Sequence, residues 1–301
     1  MKILLQFPEG LKKHAVMHAE KLRQHGHEVF LHAGPVFGAC DLALEEAKAV
    51  GAKKIIHFGH AKFPVKGLGK LEVEYVEWDA DVNPADLDGA IAELSKYKKI
   101  ALVTTVQHVK SLPKISAYLK GNGVEALIGK GTLAAYPGQV LGCDGGAATI
   151  PEAEAVLFVG DGMFHALAVE ETKPVYAFNP YTKQFKRINE EIEKLRKRRR
   201  GAIAVGIEAK SFGILLSTKP GQANLTAAKW ARKQLGKLGR KAEILVAGEL
   251  NAASISNFVS FDAYVNTACP RITDDIDLFG KPVLSVKMLN EMIGLLKHAG
   301  K

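Results

Sequence analysis

The chain opens with KILLQFPEG at residues 2–10, an apolar run of strand length that ends in proline and glycine. Two similar runs follow, KIALVTTVQ at residues 99–107 and FGILLSTKPGQ at residues 212–222. Apolar runs of this length, each followed by a segment with helical periodicity, are typical of parallel strands joined by crossover helices. A unit that recurs along a chain defines its architecture. The sequence therefore predicts an α/β protein of three similar domains, each a mostly parallel sheet flanked by helices.

The three runs divide the chain into predicted domains at residues 1–97, 98–200 and 201–301. We expect the strand-end loops of these domains to face a common centre, because open parallel sheets bind ligands beyond the carboxyl ends of their strands. Strands are predicted at residues 3–7, 27–32, 54–58, 100–105, 124–128, 155–159, 175–178, 213–217, 242–246, 263–267 and 283–284. Helices are predicted at residues 11–25, 40–50, 111–121, 222–238 and 287–298.

One charge-rich segment, Phe185–Arg200, is predicted to be an exposed helix that connects the second and third domains. It begins with acidic residues and ends with basic ones, which matches the polarity of the helix dipole. A docking patch for an anionic partner is the alternative interpretation.

Composition indicates a folded protein without membrane spans. The 301 residues are 47% hydrophobic and carry a net charge of +9. A basic chain can bind an anionic partner, but aromatic residues are only 7% and are not interleaved with the basic ones, so a solvated exterior is favoured over a nucleic-acid groove. No stretch approaches the roughly 20 apolar residues that cross a bilayer, and no signal peptide precedes the first strand. We therefore expect a cytoplasmic protein.

The three cysteines, Cys40, Cys143 and Cys269, each follow a predicted strand in a different third of the chain. The odd count argues against a disulfide framework. Each repeat is predicted to run through a strand, a helix and a second strand before its cysteine. Inert core thiols are one interpretation, but each cysteine lies in a loop beside glycine or proline, where a thiolate can meet a ligand. Thiolates bind zinc or iron–sulfur clusters, and the spacing alone does not separate these metals.

Two histidines, His57 and His60, offer a further candidate metal pair. At positions i and i+3 of a strand, their side chains are predicted to point to opposite faces. Packing in the core or a loop is therefore favoured over shared metal binding.

Eight ordered motifs resemble one known family, that of archaeal diphthamide synthase, the 2-(3-amino-3-carboxypropyl)histidine synthases. They are QFPEGL at residues 6–11, GACD at 38–41, HFGH at 57–60, TTVQH at 104–108, GQVLGC at 138–143, GDGMFH at 160–165, STKPGQ at 217–222 and TACPRI at 267–272. The resemblance covers nearly the whole chain, and eight blocks in order are far more specific than one motif.

The resemblance implies a homodimeric transferase of three α/β domains that catalyses the first step of diphthamide biosynthesis. It implies that Cys40, Cys143 and Cys269 hold a 4Fe–4S cluster at the domain junction, and that S-adenosylmethionine is the co-substrate. The family is similar to radical S-adenosylmethionine enzymes in its cofactors, and it transfers a 3-amino-3-carboxypropyl group to a histidine of translation elongation factor 2. An electron donor is a further implied partner, whereas no membrane or direct nucleic-acid contact is required.

Polar residues in the loops that should face the centre are candidate contacts for S-adenosylmethionine. They are Gln107, His108, Asp161, His165, Lys219 and Gln222. Loop residues of these types also cap helices and turns, which is the competing interpretation. At the level of function, the alternatives are a non-catalytic subunit of such a synthase and a zinc- or metabolite-binding α/β protein.

Overall fold

The computed structural model describes residues 1–169, 171–274 and 276–299. These residues form three separate sheets whose strands are parallel except at one edge. Helices connect most neighbouring parallel strands. The predicted α/β class, with mostly parallel sheets flanked by helices, is therefore confirmed.

The first sheet contains four parallel strands in the order β2-β1-β3-β4. Its elements are β1 (Lys2–Gln6), a 3-10 turn (Glu9–His14), α1 (Ala15–Gln24), β2 (Glu28–Leu31), α2 (Leu44–Val50), β3 (Lys54–Phe58) and β4 (Glu72–Val76). Phe7 stacks on Phe58 with ring centroids 4.1 Å apart, inside a core that α1 covers. Because β1 and β3 are central, their carboxyl ends lie next to each other.

The second sheet has the order β6-β5-β7-β8-β9, and β9 is its antiparallel edge. Its elements are 3-10 turns at Pro84–Leu87 and Val106–Ser111, α3 (Asp88–Leu94), β5 (Lys99–Thr104), α4 (Leu112–Gly121), β6 (Glu125–Leu127), β7 (Ala155–Val159), β8 (Val175–Phe178) and β9 (Phe185–Arg187). All five residues of β7 are buried, because one apolar cluster packs on each face of the sheet. Such two-sided burial explains the uninterrupted apolar run of β7.

The third sheet repeats the arrangement of the first, with four parallel strands in the order β11-β10-β12-β13. Its elements are α5 (Asn189–Glu208), β10 (Ser211–Ser217), α6 (Leu225–Lys237), β11 (Lys241–Ala247), α7 (Ala252–Ile255), β12 (Ala263–Asn266), a 3-10 turn (Pro270–Asp274), α8 (Ile276–Phe279), β13 (Val283–Ser285) and α9 (Val286–Ala299). The largest apolar cluster of this region packs residues of α5, α6 and α9 against one face of the sheet.

Two compact units, residues 1–192 and 193–301, divide the chain. The first unit contains the first and second sheets, and the second unit contains the third sheet. Each of the three predicted domains contains one sheet, while their boundaries after residues 97 and 200 stay a prediction. The helix α5 runs through residue 200 without a break.

The charge-rich segment differs from its prediction at both ends. Phe185–Arg187 is a strand, because Phe185 stacks on Tyr176 of β8 with ring centroids 5.2 Å apart. The helix then begins at Asn189 and continues to Glu208, since Ala202 and Ile203 are buried in the core of the second unit.

Within the described residues, no helix has the length and apolar character needed to cross a membrane.

The edge strand β4 was also absent from the sequence prediction. Its five residues alternate between exposed glutamates and half-buried valine and tyrosine, which is a short run with little apolar signal. Glu72 and Glu74 form ion pairs with Lys54 of β3, at 2.9 Å and 2.7 Å. The strand is therefore defined by its pairing with β3 and by these ion pairs, and not by burial of its side chains.

Candidate functional site

The Cys40 loop connects β2 to α2 and is held by two side chains from the carboxyl ends of the sheet. Gln6, the last residue of β1, donates from Nε2 to the carbonyl oxygen of Asp41 at 2.6 Å. Tyr75 of β4 donates from its hydroxyl to the carbonyl oxygen of Ala39 at 3.3 Å. The peptide groups on both sides of Cys40 are thus fixed, and its thiol stays partly exposed.

Gln6 is fully buried and uses both ends of its carboxamide. Its Oε1 accepts from the backbone N–H of Ala43 at 3.3 Å, and His57 Nδ1 lies 3.3 Å from the same oxygen. This pairing satisfies a polar group that would be costly to bury alone. The polar residue at the end of this apolar strand therefore fixes the backbone of the loop that carries Cys40.

His57 and His60 contact each other beneath this loop, with Nε2 of His57 2.9 Å from Nδ1 of His60. The prediction that they point to opposite faces is wrong, because β3 ends at Phe58 and Gly59 turns the chain at a φ of 81°. Burial lowers the pKa of His57 to about 3, helped by the nearby His60 and His32. Burial likewise lowers the pKa of His60 to about 4. Both rings are consequently neutral at pH 7.

Cys143 lies in a tight turn that closes between Leu141 and Asp144, whose backbones exchange hydrogen bonds of 2.9 Å and 3.1 Å. The preceding residue, Gly142, faces the ring of Phe164, and a Cβ added there would lie 2.2 Å from a ring carbon. Any larger residue at this position would therefore displace the ring of Phe164. The turn leaves Cys143 exposed, unlike the other two cysteines.

The carboxylate of Asp144 organises the backbone around this turn. It accepts hydrogen bonds from the N–H groups of Leu133 at 2.6 Å, Ala134 at 3.3 Å and Gly146 at 3.0 Å. A carboxylate suits a site that presents only donors, because both of its oxygens accept. Buried Gln139 adds a second anchor, since its Oε1 accepts from the N–H groups of Ala135 and Tyr136.

Cys269 follows β12, which is the third strand of its sheet in chain order. The prediction that each cysteine follows the second strand of its repeat is therefore wrong for the third domain, whose second strand is β11. Buried Asn266 ends β12 and donates from Nδ2 to the carbonyl oxygen of Cys269 at 2.7 Å. Its Oδ1 accepts from the N–H of Ala268 at 3.0 Å.

Charged residues hold the 3-10 turn that follows Cys269. Asp274, whose side chain is 7% exposed, pairs with Arg199 of α5 at 2.9 Å. Its second oxygen lies 3.1 Å from Nη1 of Arg271. The Cys269 region is thus anchored to a helix by ion pairs, whereas the Cys40 loop is anchored by neutral groups.

Four predicted cofactor contacts lie in the first unit. His108 is 2% exposed, and its Nδ1 lies 2.8 Å from the carbonyl oxygen of Ala80, while the carbonyl of Gln107 accepts from Ala80 N–H at 2.8 Å. Asp161 is exposed and accepts from Nδ2 of Asn179 at 2.6 Å. The ring of His165 meets Phe164 edge-on at 5.1 Å, which places it beside the Cys143 turn.

The other two predicted contacts lie in the second unit, in the turn after β10. Nζ of Lys219 is 3.3 Å from Oε2 of Glu249, and the lysine side chain is 15% exposed. The N–H of Gln222 donates to the carbonyl of Lys219 at 2.9 Å, so that the two residues share one turn. Their contact with a cofactor stays a prediction.

All three cysteines lie outside disulfides, in loops that follow the carboxyl ends of parallel strands. Cys40 and Cys143 belong to the first unit and Cys269 to the second. Over the described ranges, no three side chains of His, Cys, Asp or Glu form a group that could hold a single metal ion. The three cysteines as shared metal ligands thus stay a prediction.

Sequence reasoning missed the side chains that hold the cysteine loops, namely Gln6, Tyr75, Asp144 and Asn266. Two of them had a signal, because Gln6 and Asn266 are polar residues at the end of apolar strands. A buried polar group at such a position needs a partner nearby.

Comparison with known proteins gives a consistent set of similarities. The family model for diphthamide synthesis proteins matches residues 7–298. A 2-(3-amino-3-carboxypropyl)histidine synthase of Pyrococcus horikoshii is 39% identical over 302 residues, which cover 98% of this chain and 86% of that protein. The synthase of Methanocaldococcus jannaschii is 30% identical, over 94% of this chain and 81% of that protein. The crystal structure of Dph2 from Pyrococcus horikoshii with a 4Fe–4S cluster matches with a TM-score of 0.88 and 38% identity, over 98% of this chain and 86% of that one.

Proposed function

Because the chain belongs to the diphthamide synthesis protein family, we propose that it is a 2-(3-amino-3-carboxypropyl)histidine synthase that catalyses the first step of diphthamide biosynthesis. The donor is S-adenosylmethionine, and the acceptor is a histidine of translation elongation factor 2. The transfer replaces the bond between the sulfonium sulfur and its γ-carbon by a bond from that carbon to the imidazole ring. Methylthioadenosine leaves, and the ring carbon loses one proton together with the one electron that cleavage of the sulfonium consumed, so the transfer is redox-neutral overall.

The observation that carries this proposal is the placement of one cysteine, not engaged in a disulfide, in each of three separate strand-end loops. Cys40, Cys143 and Cys269 are partly or fully exposed, and three thiolates are a soft donor set that suits an iron–sulfur cluster. When bound, a 4Fe–4S cluster supplies an electron for reductive cleavage of the sulfonium and an iron that no protein ligand occupies. The residues present therefore fit this group. The structure of a relative that contains such a cluster supports the same assignment.

The loops give each thiol a fixed place from which to bind. Peptide groups beside Cys40 are held by Gln6 and Tyr75, the Cys143 turn is closed by Asp144, and the carbonyl of Cys269 is held by Asn266. A ligand set that is ordered before its metal group arrives needs less rearrangement on binding.

Polar residues near these loops are the proposed contacts for S-adenosylmethionine. Lys219 can bind the carboxylate of the methionine moiety, because its largely buried ammonium can donate to a carboxylate, as it does to that of Glu249. Asp161 is exposed enough to accept from the amino group or the ribose. His165, Gln107, Gln222 and His108 complete the proposed set, although His108 is already hydrogen-bonded and shielded from solvent.

The proposal includes three properties of the working enzyme. It acts in the cytoplasm as a homodimer, it receives its electron from a separate donor, and it binds elongation factor 2 as a folded protein substrate. The net charge of +9 favours an acidic surface on that partner.

The test is anaerobic purification and reconstitution, followed by measurement of iron, sulfide and the electronic spectrum. We expect about four irons per chain. With dithionite and S-adenosylmethionine, we expect methylthioadenosine and, when elongation factor 2 is present, its modified histidine.

Single cysteine variants make this test specific. Cys40→Ala, Cys143→Ala and Cys269→Ala should each lose the cluster and the cleavage, while Asn251→Asp serves as a loop variant far from any cysteine in sequence. Reconstituted protein that holds zinc alone and cleaves no S-adenosylmethionine would contradict the proposal. A cluster-loaded protein without cleavage would instead favour a non-catalytic subunit.

A further inference from the structure

Two of the three cysteine loops are held by the same chemical device, a carboxamide at the end of a strand. Gln6 ends β1 and is 0% exposed, and Asn266 ends β12 and is 3% exposed. Each uses its nitrogen as a donor to a loop carbonyl and its oxygen as an acceptor from a loop N–H. The two residues belong to different sheets and serve loops in different connections of those sheets.

The backbone groups that these carboxamides bind are next to the cysteines. Gln6 binds the carbonyl of Asp41 and the N–H of Ala43, one and three residues after Cys40. Asn266 binds the N–H of Ala268 and the carbonyl of Cys269 itself. A carboxamide is suited to such a pair, because it presents one donor group and one acceptor in a single plane.

The third loop, that of Cys143, is held by a carboxylate instead of a carboxamide. Around Cys143, the three backbone N–H groups of Leu133, Ala134 and Gly146 are bound by a carboxylate, that of Asp144. A carboxylate at position 6 or 266 cannot make the donor half of the observed contacts. The amide nitrogen is therefore the informative atom.

We propose that Gln6 and Asn266 are positioning residues, which hold the backbone of Cys40 and Cys269 in the geometry for cluster binding before the cluster arrives. The inference rests on the proposed function for the identity of the ligand, but the ordering of the loops belongs to the protein alone. Neither side chain needs to touch the cluster. Replacement of a group that orients a metal ligand without touching the metal typically lowers metal affinity by about 10- to 100-fold.

The test uses substitutions that exchange only the donor nitrogen for an oxygen, Gln6→Glu and Asn266→Asp. Tyr75→Phe is a milder third variant, since it removes one hydrogen bond to Ala39 and keeps the ring. The matched controls are Asn251→Asp, whose Oδ1 alone is used to accept from Ala253 and Ser254, and Gln184→Glu on an exposed turn. Thermal unfolding shows that each variant is folded.

The first measurement is made on protein without a cluster, as the rate at which each cysteine is alkylated under anaerobic conditions, resolved by peptide mass spectrometry. We expect Gln6→Glu and Tyr75→Phe to accelerate alkylation of Cys40 alone, and Asn266→Asp that of Cys269 alone. Both controls should leave all three rates unchanged. Equal acceleration at all three cysteines, or no change at any, would overturn the positioning role.

The second measurement is made on reconstituted protein, as the rate of cluster loss to a chelator and the electron paramagnetic resonance spectrum of the reduced cluster. We expect loss about 10- to 100-fold faster in the two carboxylate variants and an altered spectrum. Unchanged loss and spectrum would overturn the inference. If the parent protein takes up no cluster, the proposed function fails, and the alkylation rates still decide whether Gln6 and Asn266 order their loops.

Discussion

The first and third sheets share one strand order but carry their cysteines in different connections. In both, the first strand is central, flanked by the second and third, and the fourth lies at an edge. Cys40 follows β2, the second strand, whereas Cys269 follows β12, the third. The two sheets therefore share the arrangement of their strands and strand ends, but the loop that carries the cysteine occurs in a different connection in each.

The strongest test of this comparison moves the third cysteine from the connection after β12 to the connection after β11, which corresponds to the one that carries Cys40 in the first sheet. In the double variant Cys269→Ala, Gly248→Cys, the thiol follows β11 as Cys40 follows β2. We expect no cluster, as in Cys269→Ala alone, because the new thiol lacks the loop that Asn266 holds. Iron content and the electronic spectrum provide the readout. Recovery of a full cluster would show that the two connections are interchangeable.

The next prediction separates a buried ionic anchor from an exposed ion pair. Removal of the carboxylate in Asp274→Ala leaves the guanidinium groups of Arg199 and Arg271 without it in a largely buried place. We expect a loss of about 3 kcal/mol in the free energy of unfolding, from urea denaturation.

The control for this variant is Glu193→Ala, which breaks the exposed pair with Arg200 on the same helix. A change of about 0.5 kcal/mol or less is expected there. Equal effects of the two variants would mean that burial of the Asp274 cluster contributes little to stability.

A third prediction concerns pH and the first unit. The unfolded His57 binds a proton below its ordinary pKa near 6.5, whereas the folded one stays neutral down to its pKa of about 3. Stability is therefore complete above that ordinary pKa and falls as pH decreases. Between pH 7 and pH 5 we expect a loss of about 1 to 2 kcal/mol from this residue.

The measurement is hydrogen exchange of β1 and β3 amides over this pH range, compared with β10 and β12. In His57→Gln the additional pH dependence of the first sheet should fall by roughly half, because His60 is also buried in its neutral form and keeps its own contribution. If the two sheets lose protection equally, and the variant changes nothing, the histidine pair is not the cause.

The smallest expected effect is at the edge of the first sheet. Lys54→Met breaks the pairs with Glu72 and Glu74 and keeps an unbranched side chain over β4. We expect a loss of about 0.5 to 1 kcal/mol that shrinks in high salt. Urea denaturation at two ionic strengths measures it, and a salt-independent loss would assign the effect to packing instead.

Much of the fold was predictable, because apolar runs such as those of β1, β5, β7 and β10 identify buried parallel strands. The edge strands β4 and β9 were not predictable. Their exposed charged residues form strands only because they pair with a neighbouring strand. The position of Cys269 after the third strand of its sheet could have been predicted, because the predicted strands at residues 213–217, 242–246 and 263–267 all precede it. The supporting contacts of Gln6 and Asn266 required the structure, because they join a strand end to a loop that the sequence cannot place.

The histidine pair under the Cys40 loop has a fixed direction. Gln6 must present its nitrogen to the carbonyl of Asp41, so its oxygen faces His57, and Nδ1 of His57 carries the proton. Nε2 of that neutral ring is then an acceptor, and the proton between the rings belongs to Nδ1 of His60. Each group donates towards the loop, from His60 to His57, to Gln6 and to the backbone beside Cys40. The carboxamide of Gln6 therefore selects the tautomer of His57 directly and that of His60 through His57, and neither ring can change its tautomer without breaking this chain.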